Sequence, residues 1–265
     1  MVVAVTAADK RRGRNQAPGP TPVKEAALDL GIRVSHHVGD VVDAGADLGV
    51  VVAFGRIIRP DVLSRLAMVN VHFSLLPRWR GAAPVERAIL AGDSVTGVCL
   101  MEVEEGLDTG GVYRRVEVPI GGSETAFALT ARLARIGADM LADALDEGLG
   151  HPEPQTGDPT YAAKIDPAEL RLDFARPAAQ LDRVVRVGRA WTTWRGRRLL
   201  VVEAEPVDGP GGESPPPGSI DGLGVVATPD GGLRLITVQP EGRSELAAPE
   251  WLRGARPGPL DRLGG

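Results

Sequence analysis

The chain has 265 residues, 43% hydrophobic and 25% charged, with a formal net charge of −5 at pH 7. That apolar content can build a core, which excludes disorder over the whole length. One cysteine, Cys99, excludes an internal disulfide, and with only four histidines it argues against a Cys-rich zinc site, so no metal is expected. The longest apolar run, Leu48 to Gly55, falls far short of the roughly 20 residues of a membrane span. Met1 to Ala8 has no basic leader. A soluble, cytoplasmic protein with no membrane partner is the expectation.

Val2 to Thr6 is β-branched and reads as a strand, followed by a polar, Pro- and Gly-containing loop over residues 7 to 20. Thr21-Pro22 reads as an N-cap and first helical position, opening a helix to Leu30 that Gly31 stops. Asp47 to Phe54 is apolar without alternation, which predicts a strand buried on both faces. A helix near Pro60 to Leu66 precedes a strand at Met68 to Phe73. A helix at Pro84 to Leu90, strands at Gly97 to Val103 and Val112 to Val118, and a long helix from Ser123 to Leu145 follow. Strands alternating with helices argue for an α/β domain over 1–150 with a mainly parallel sheet. His151 to Pro159 is proline-rich and reads as part of a linker over 151–177. A helix at Pro177 to Val187 and short strands at Arg198 to Glu203, Gly224 to Ala227 and Leu233 to Val238 suggest a small β-barrel domain over 178–265.

The charge is uneven. Asp9 to Arg14 reads DKRRGR, and Phe174 to Leu200 holds Arg176, Arg183, Arg186, Arg189, Arg195, Arg197 and Arg198 against Asp182. Two basic stretches on an acidic chain can hold a polyanion if both face one side; each is equally a solvated surface segment.

Alternation along a strand puts Asn70 and His72 on one face, at a strand end where open α/β sheets place their ligands. An amide beside an imidazole supplies donors for an oxyanion, and the imidazole can move a proton near neutral pH. Asp108, in a turn leaving another strand end, can orient that histidine. The same residues also suit a satisfied strand terminus and an ordinary turn. Cys99, in Gly97-Val98-Cys99-Leu100, reads as a buried strand residue.

The run Asn70-Val71-His72-Phe73-Ser74-Leu75-Leu76-Pro77-Arg78-Trp79-Arg80-Gly81-Ala82-Ala83-Pro84, with Gly106-Leu107-Asp108-Thr109-Gly110, resembles the methionyl-tRNA formyltransferase family. Thr6 to Lys24, Leu181 to Trp194, Gln239 to Arg243 and Trp251 to Gly254 extend the resemblance over most of the chain. It implies a Rossmann-like formyltransferase domain followed by an OB-like barrel. It also implies formyl transfer from 10-formyltetrahydrofolate to the α-amine of initiator methionyl-tRNA by a monomer. Asn70 and His72 would hold the formyl oxygen, Asp108 would orient His72 and help relay the proton, and Ser74, Leu75, Leu76 and Pro77 would line the folate site. Arg11, Arg12, Arg14, Arg183, Arg186, Arg195 and Arg197 would contact tRNA.

Family members normally open with a further strand, a Gly-Thr-Pro loop and a helix that have no counterpart before Val2. Either Met1 lies downstream of the true start, which the intact motifs favour, or the chain is a short relative. A formyltransferase of sugar nucleotides or other small amines, and a non-catalytic tRNA- or folate-binding relative, are the alternatives.

Overall fold

The computed structural model describes residues 1–11, 17–208, 215–258 and 260–265. It divides into two compact units. The first comprises Met1–Ala82, Gly97–Glu117 and Ala134–Tyr161; the second comprises Ala83–Thr96, Val118–Leu133 and Ala162–Gly265. In chain order the elements begin with β1 (Val3–Val5), α1 (Pro22–Asp29), β2 (Arg33–Ser35), β3 (Gly49–Val52), α2 (Pro60–Leu63), β4 (Met68–His72), β5 (Arg80–Gly81) and α3 (Pro84–Ala91). Next come β6 (Val95–Glu102), β7 (Val112–Pro119), α4 (Ala126–Glu147), β8 (Tyr161–Ala162) and α5 (Ala178–Val187). Last are β9 (Trp191–Trp194), β10 (Arg197–Val207), β11 (Val225–Thr228), β12 (Gly231–Pro240), β13 (Leu246–Ala247) and α6 (Ala248–Ala255).

In the first unit β1 and β2 pair in parallel, and Thr21 caps α1 by accepting the Lys24 amide at 3.1 Å. The larger sheet runs β3-β4-β6-β7. β3 and β4 are parallel, with Val51 opposite Asn70, whereas β6 enters antiparallel to β4, with Cys99 opposite His72. The expectation that β3 is buried on both faces fails: Val50 and Val52 are 43% and 50% exposed. The strand lies at the end of this sheet, and only the face carrying Val51 packs on the cluster of Ile58, Val62, Leu66 and Met68. α4 approaches β4 so closely that a Cβ on Gly137 would stand 2.6 Å from Val71 Cγ1. Glycine there lets the helix press on the strand that carries the site.

α4 begins later than Ser123. Glu124, read as part of the helix start, instead accepts from the Gly121 amide and from both forks of Arg132, and the Thr125 hydroxyl accepts the Ala128 amide at 3.2 Å. Those bonds hold the Glu124 carboxyl below its ordinary pKa, the Arg132 bond contributing most.

The second unit is built on a curled antiparallel sheet, β11-β12-β10-β9, with β13 added to β12. The expected strands are present: those at Arg198 to Glu203 and Leu233 to Val238 are longer, that at Gly224 to Ala227 is shifted by one residue, and β9 and α6 were not foreseen. A register shift between Val201 and Glu203 marks a bulge in β10, which bends a long strand. The C-terminal segment closes the curl: Gly264 donates to the Thr193 carbonyl of β9, Leu263 to Gly218, and Ala227 of β11 to Ser219. α5 buries Ala178, Leu181 and Val185, at helical spacing, and Leu181 and Val185 join Leu199, Val201, Leu235 and Val238 of the barrel in one buried cluster.

Candidate active site

Three segments of the first unit converge. Along β4 the side chains alternate, so Asn70 and His72 leave one face while Val69 and Val71 fill the other. Leu76, Cys99, Met101 and Val112 form a buried cluster, and Met101 and Cys99 stand across from Asn70 and His72. Burial of Cys99 pushes its thiol pKa up, which suits packing and not nucleophilic chemistry.

The β6–β7 turn delivers Asp108 with φ 51°, in the left-handed region that aspartate tolerates better than most residues. Gly110 can only be glycine here, because a Cβ would lie 2.1 Å from the Glu102 carbonyl oxygen. Asp108 accepts the Gly81 amide at 2.8 Å through Oδ2 and the Asn70 side-chain amide at 3.4 Å through Oδ1. His72 Nδ1 stands 3.8 Å from Asp108 Oδ2, with the imidazole 6% and the carboxylate 16% exposed.

The other imidazole nitrogen settles the tautomer. Nε2 is 2.9 Å from the Trp79 carbonyl oxygen, which can only accept, so Nε2 carries the hydrogen. In the neutral ring Nδ1 therefore holds a lone pair facing a carboxylate. Trp79 is itself held by its amide, which donates to the Thr160 hydroxyl at 2.8 Å.

Residues 1–145 match the formyl transferase family, and residues 164–256 match its C-terminal domain family. The methionyl-tRNA formyltransferase of Ruegeria pomeroyi is 43% identical over 91% of this chain and 85% of the relative. That of Rhizorhabdus wittichii is 45% identical over 91% of this chain and 83% of the relative. The chain belongs to the methionyl-tRNA formyltransferase family. Among solved structures, HypX from Aquifex aeolicus in complex with tetrahydrofolic acid superposes with a TM-score of 0.63 at 19% identity. The superposition covers 88% of this chain and 44% of that one, and shows a shared fold.

In this member of the methionyl-tRNA formyltransferases the structure brings Asn70, His72 and Asp108 together. It treats the other expected residues unequally. Ser74 is fully buried and its hydroxyl donates to the Arg78 carbonyl at 2.6 Å, while Leu76 is 1% exposed in the core. Both shape the loop from inside, so of the four expected folate-lining side chains only Leu75 and Pro77 reach its surface. Arg186 is also corrected. Its guanidinium donates to the carbonyls of Glu124 and Gly121, each at 2.9 Å, and stands 3.8 Å from Asp182, leaving the side chain 13% exposed. Those donors are spent inside the protein.

Arg183 reaches the Ala91 carbonyl at 3.4 Å. Arg195 lies over the Trp194 ring and pairs with Asp261 at 2.6 Å; that hydrogen bond holds the Asp261 carboxyl below the usual range. Arg197 is 3.7 Å from Glu241 and largely exposed, and Arg11 is exposed. Arg12 and Arg14 lie outside the described residues. Within the second unit a cavity of about 1050 Å³ is lined by Arg87, Arg171, Arg176 and Arg183 together with Glu169 and Asp173. Among the described residues no group of three or more His, Cys, Asp or Glu is placed to hold a metal, and no helix is long and apolar enough to cross a membrane.

Sequence reasoning gave no role to Arg80, Gln155 and Thr160. Arg80 lay inside the matched motif, next to Gly81. Gln155 and Thr160 sit in a proline-rich stretch whose composition signals only a connector.

Proposed function

We propose that this chain transfers a formyl group from 10-formyltetrahydrofolate to the α-amine of initiator methionyl-tRNA. One observation carries the reading. Asp108 bonds the Asn70 amide and faces Nδ1 of His72, at the carboxyl end of a strand in a chain that matches this family along most of its length.

The residues fit the chemistry. A free α-amine has a pKa near 7.7–8.0, so a sizeable fraction is uncharged and nucleophilic close to neutral pH. Attack of that amine on the formyl carbon places negative charge on the formyl oxygen. Asn70 has two amide hydrogens; one goes to Asp108, and the other is the donor for that oxygen. His72 Nδ1 accepts the proton lost by the amine, and Asp108 stabilises the imidazolium. The 3.8 Å separation shortens as that proton arrives between them. As the tetrahedral intermediate collapses, the bond from the formyl carbon to N10 of the folate breaks, His72 returns that proton to N10, and tetrahydrofolate leaves. No enzyme nucleophile is required.

Leu75, Pro77 and the backbone of 74–77 line the folate site in this reading. Arg11, Arg12, Arg14, Arg183, Arg195 and Arg197 meet tRNA phosphates, giving affinity and positioning that weaken with salt. The division into a catalytic domain over 1–150, a linker over 151–177 and a tRNA-binding barrel over 178–265 belongs to the same proposal, as do a monomeric state and a cytoplasmic location.

The test is formyl transfer by the purified chain, supplied with 10-formyltetrahydrofolate and charged initiator methionyl-tRNA. Formyl-methionyl product that disappears in His72→Ala supports the reading. A cooperatively folded chain that yields none overturns it.

A further inference from the structure

We infer that Gln155 is a positioning residue: with Arg80 it clamps the turn carrying Asp108, and so sets the carboxylate that faces His72. The Gln155 side-chain amide is saturated. Its nitrogen donates to the carbonyls of Asp108 at 2.9 Å and Gly110 at 2.8 Å. Its oxygen accepts from Arg80 Nε at 3.0 Å and Nη2 at 2.6 Å. A primary amide offers two hydrogens and two lone pairs, and all four are used. The orientation is unique, since a reversed amide would set its oxygen against two carbonyls and its NH₂ against a guanidinium.

The consequence for Asp108 is a hold from both ends. Gln155 fixes its backbone at a positive φ, and Gly81, the residue after Arg80, donates its amide to the carboxylate. Arg80 is anchored in turn, its own amide donating to the Thr160 carbonyl at 2.9 Å. Arg80–Gly81 thus reaches Asp108 twice, directly through an amide and indirectly through Gln155. Removing the two donors of Gln155 frees the 108–110 carbonyls and lets the turn relax from its left-handed conformation. The carboxylate would then leave the Gly81 amide and the imidazole together. Gln155 touches no reacting atom; it acts through Asp108.

The experiment compares Gln155→Ala with Gln155→Glu. The second is nearly isosteric and keeps a partner for Arg80, but cannot donate to either carbonyl at neutral pH. Exchange of the Gly81 amide, read by NMR, should quicken in both variants while amides of β4 and β6 keep their protection. Only the kinetic arm rests on the formyl-transfer reading. There, kcat should fall on the order of 10²-fold with KM little changed, as for a reacting group displaced by about 1 Å. In an Asp108→Asn background the same substitutions should cost nothing further. Unchanged Gly81 exchange overturns the proposal. So does a loss of kcat just as large without Asp108, and so does failure of both variants to fold, which would make the role purely structural. A wild-type chain without activity would sink the functional reading alone, because amide exchange decides the clamp by itself.

Discussion

Arg186→Met separates a structural arginine from an RNA-binding one. The substitution keeps most of the aliphatic stem along α5 and deletes the guanidinium that bonds the Glu124 and Gly121 carbonyls, each at 2.9 Å. A hydrogen bond from a charged donor is worth about 1.5–3 kcal/mol; for a side chain touching solvent the low end applies, and two such bonds give about 3 kcal/mol. Spread over a domain of this size, that corresponds to a fall in Tm of roughly 6–12 °C. Asp182 adds a pH signature. Burial raises its carboxyl pKa and the Coulombic pull of Arg186 opposes that rise, so removing Arg186 lifts it further. A carboxyl whose folded pKa exceeds its unfolded value favours the fold at low pH, and that advantage is lost as pH rises through the folded value. Arg186→Met should therefore lose most stability above the ordinary carboxylate range, and adding Asp182→Asn should restore part of it. Thermal and urea unfolding across pH, with the tRNA KM measured alongside, checks this. Wild-type stability combined with a raised KM for tRNA would refute the reasoning and return Arg186 to the RNA interface.

Three further outcomes are expected. His72→Ala should lower kcat by about 10²–10⁴-fold, the usual reach of a general acid–base group, with the fold intact by circular dichroism. Gly137→Ala, which on helix propensity alone would stabilise by about 1 kcal/mol, should instead destabilise by about 1–3 kcal/mol, because its Cβ meets Val71 Cγ1; thermal unfolding reads the sign. Glu124 has a folded pKa below the ordinary 4.5. Its contribution is therefore present above pH 4.5 and lost as pH falls through the folded value, so Arg132→Gln should flatten the acid limb of the urea-midpoint profile.

Much of this protein was legible one segment at a time. The period of two along Met68–His72 set Asn70 and His72 on a common face, and Thr21-Pro22 with Gly31 bracketed α1, because strand alternation and helix capping depend on a few neighbouring residues. The motif around Asp108 identified the third member of the trio, and the alternation of strands and helices identified the α/β domain. Other features were invisible for the same reason in reverse. Asp108 and Gln155 are 47 positions apart, and Arg186 and Gly121 are 65 apart. Nothing in either local sequence announces the other.

An arginine-rich segment reads alike whether its guanidiniums meet phosphates or the protein's own carbonyls, so only the folded chain showed that Arg186 is spent. A continuous apolar run reads alike whether one face or two are covered, so only the sheet order showed Val50 and Val52 in the open. Residues 262–264, unremarkable as sequence, close the barrel because they meet β9 and the segment before β11. Local patterning announced most of the elements and which side chains share a face. Which donors are satisfied, which faces are covered and what holds Asp108 in place were decided by packing, since each is a property of two or more segments brought together by the fold.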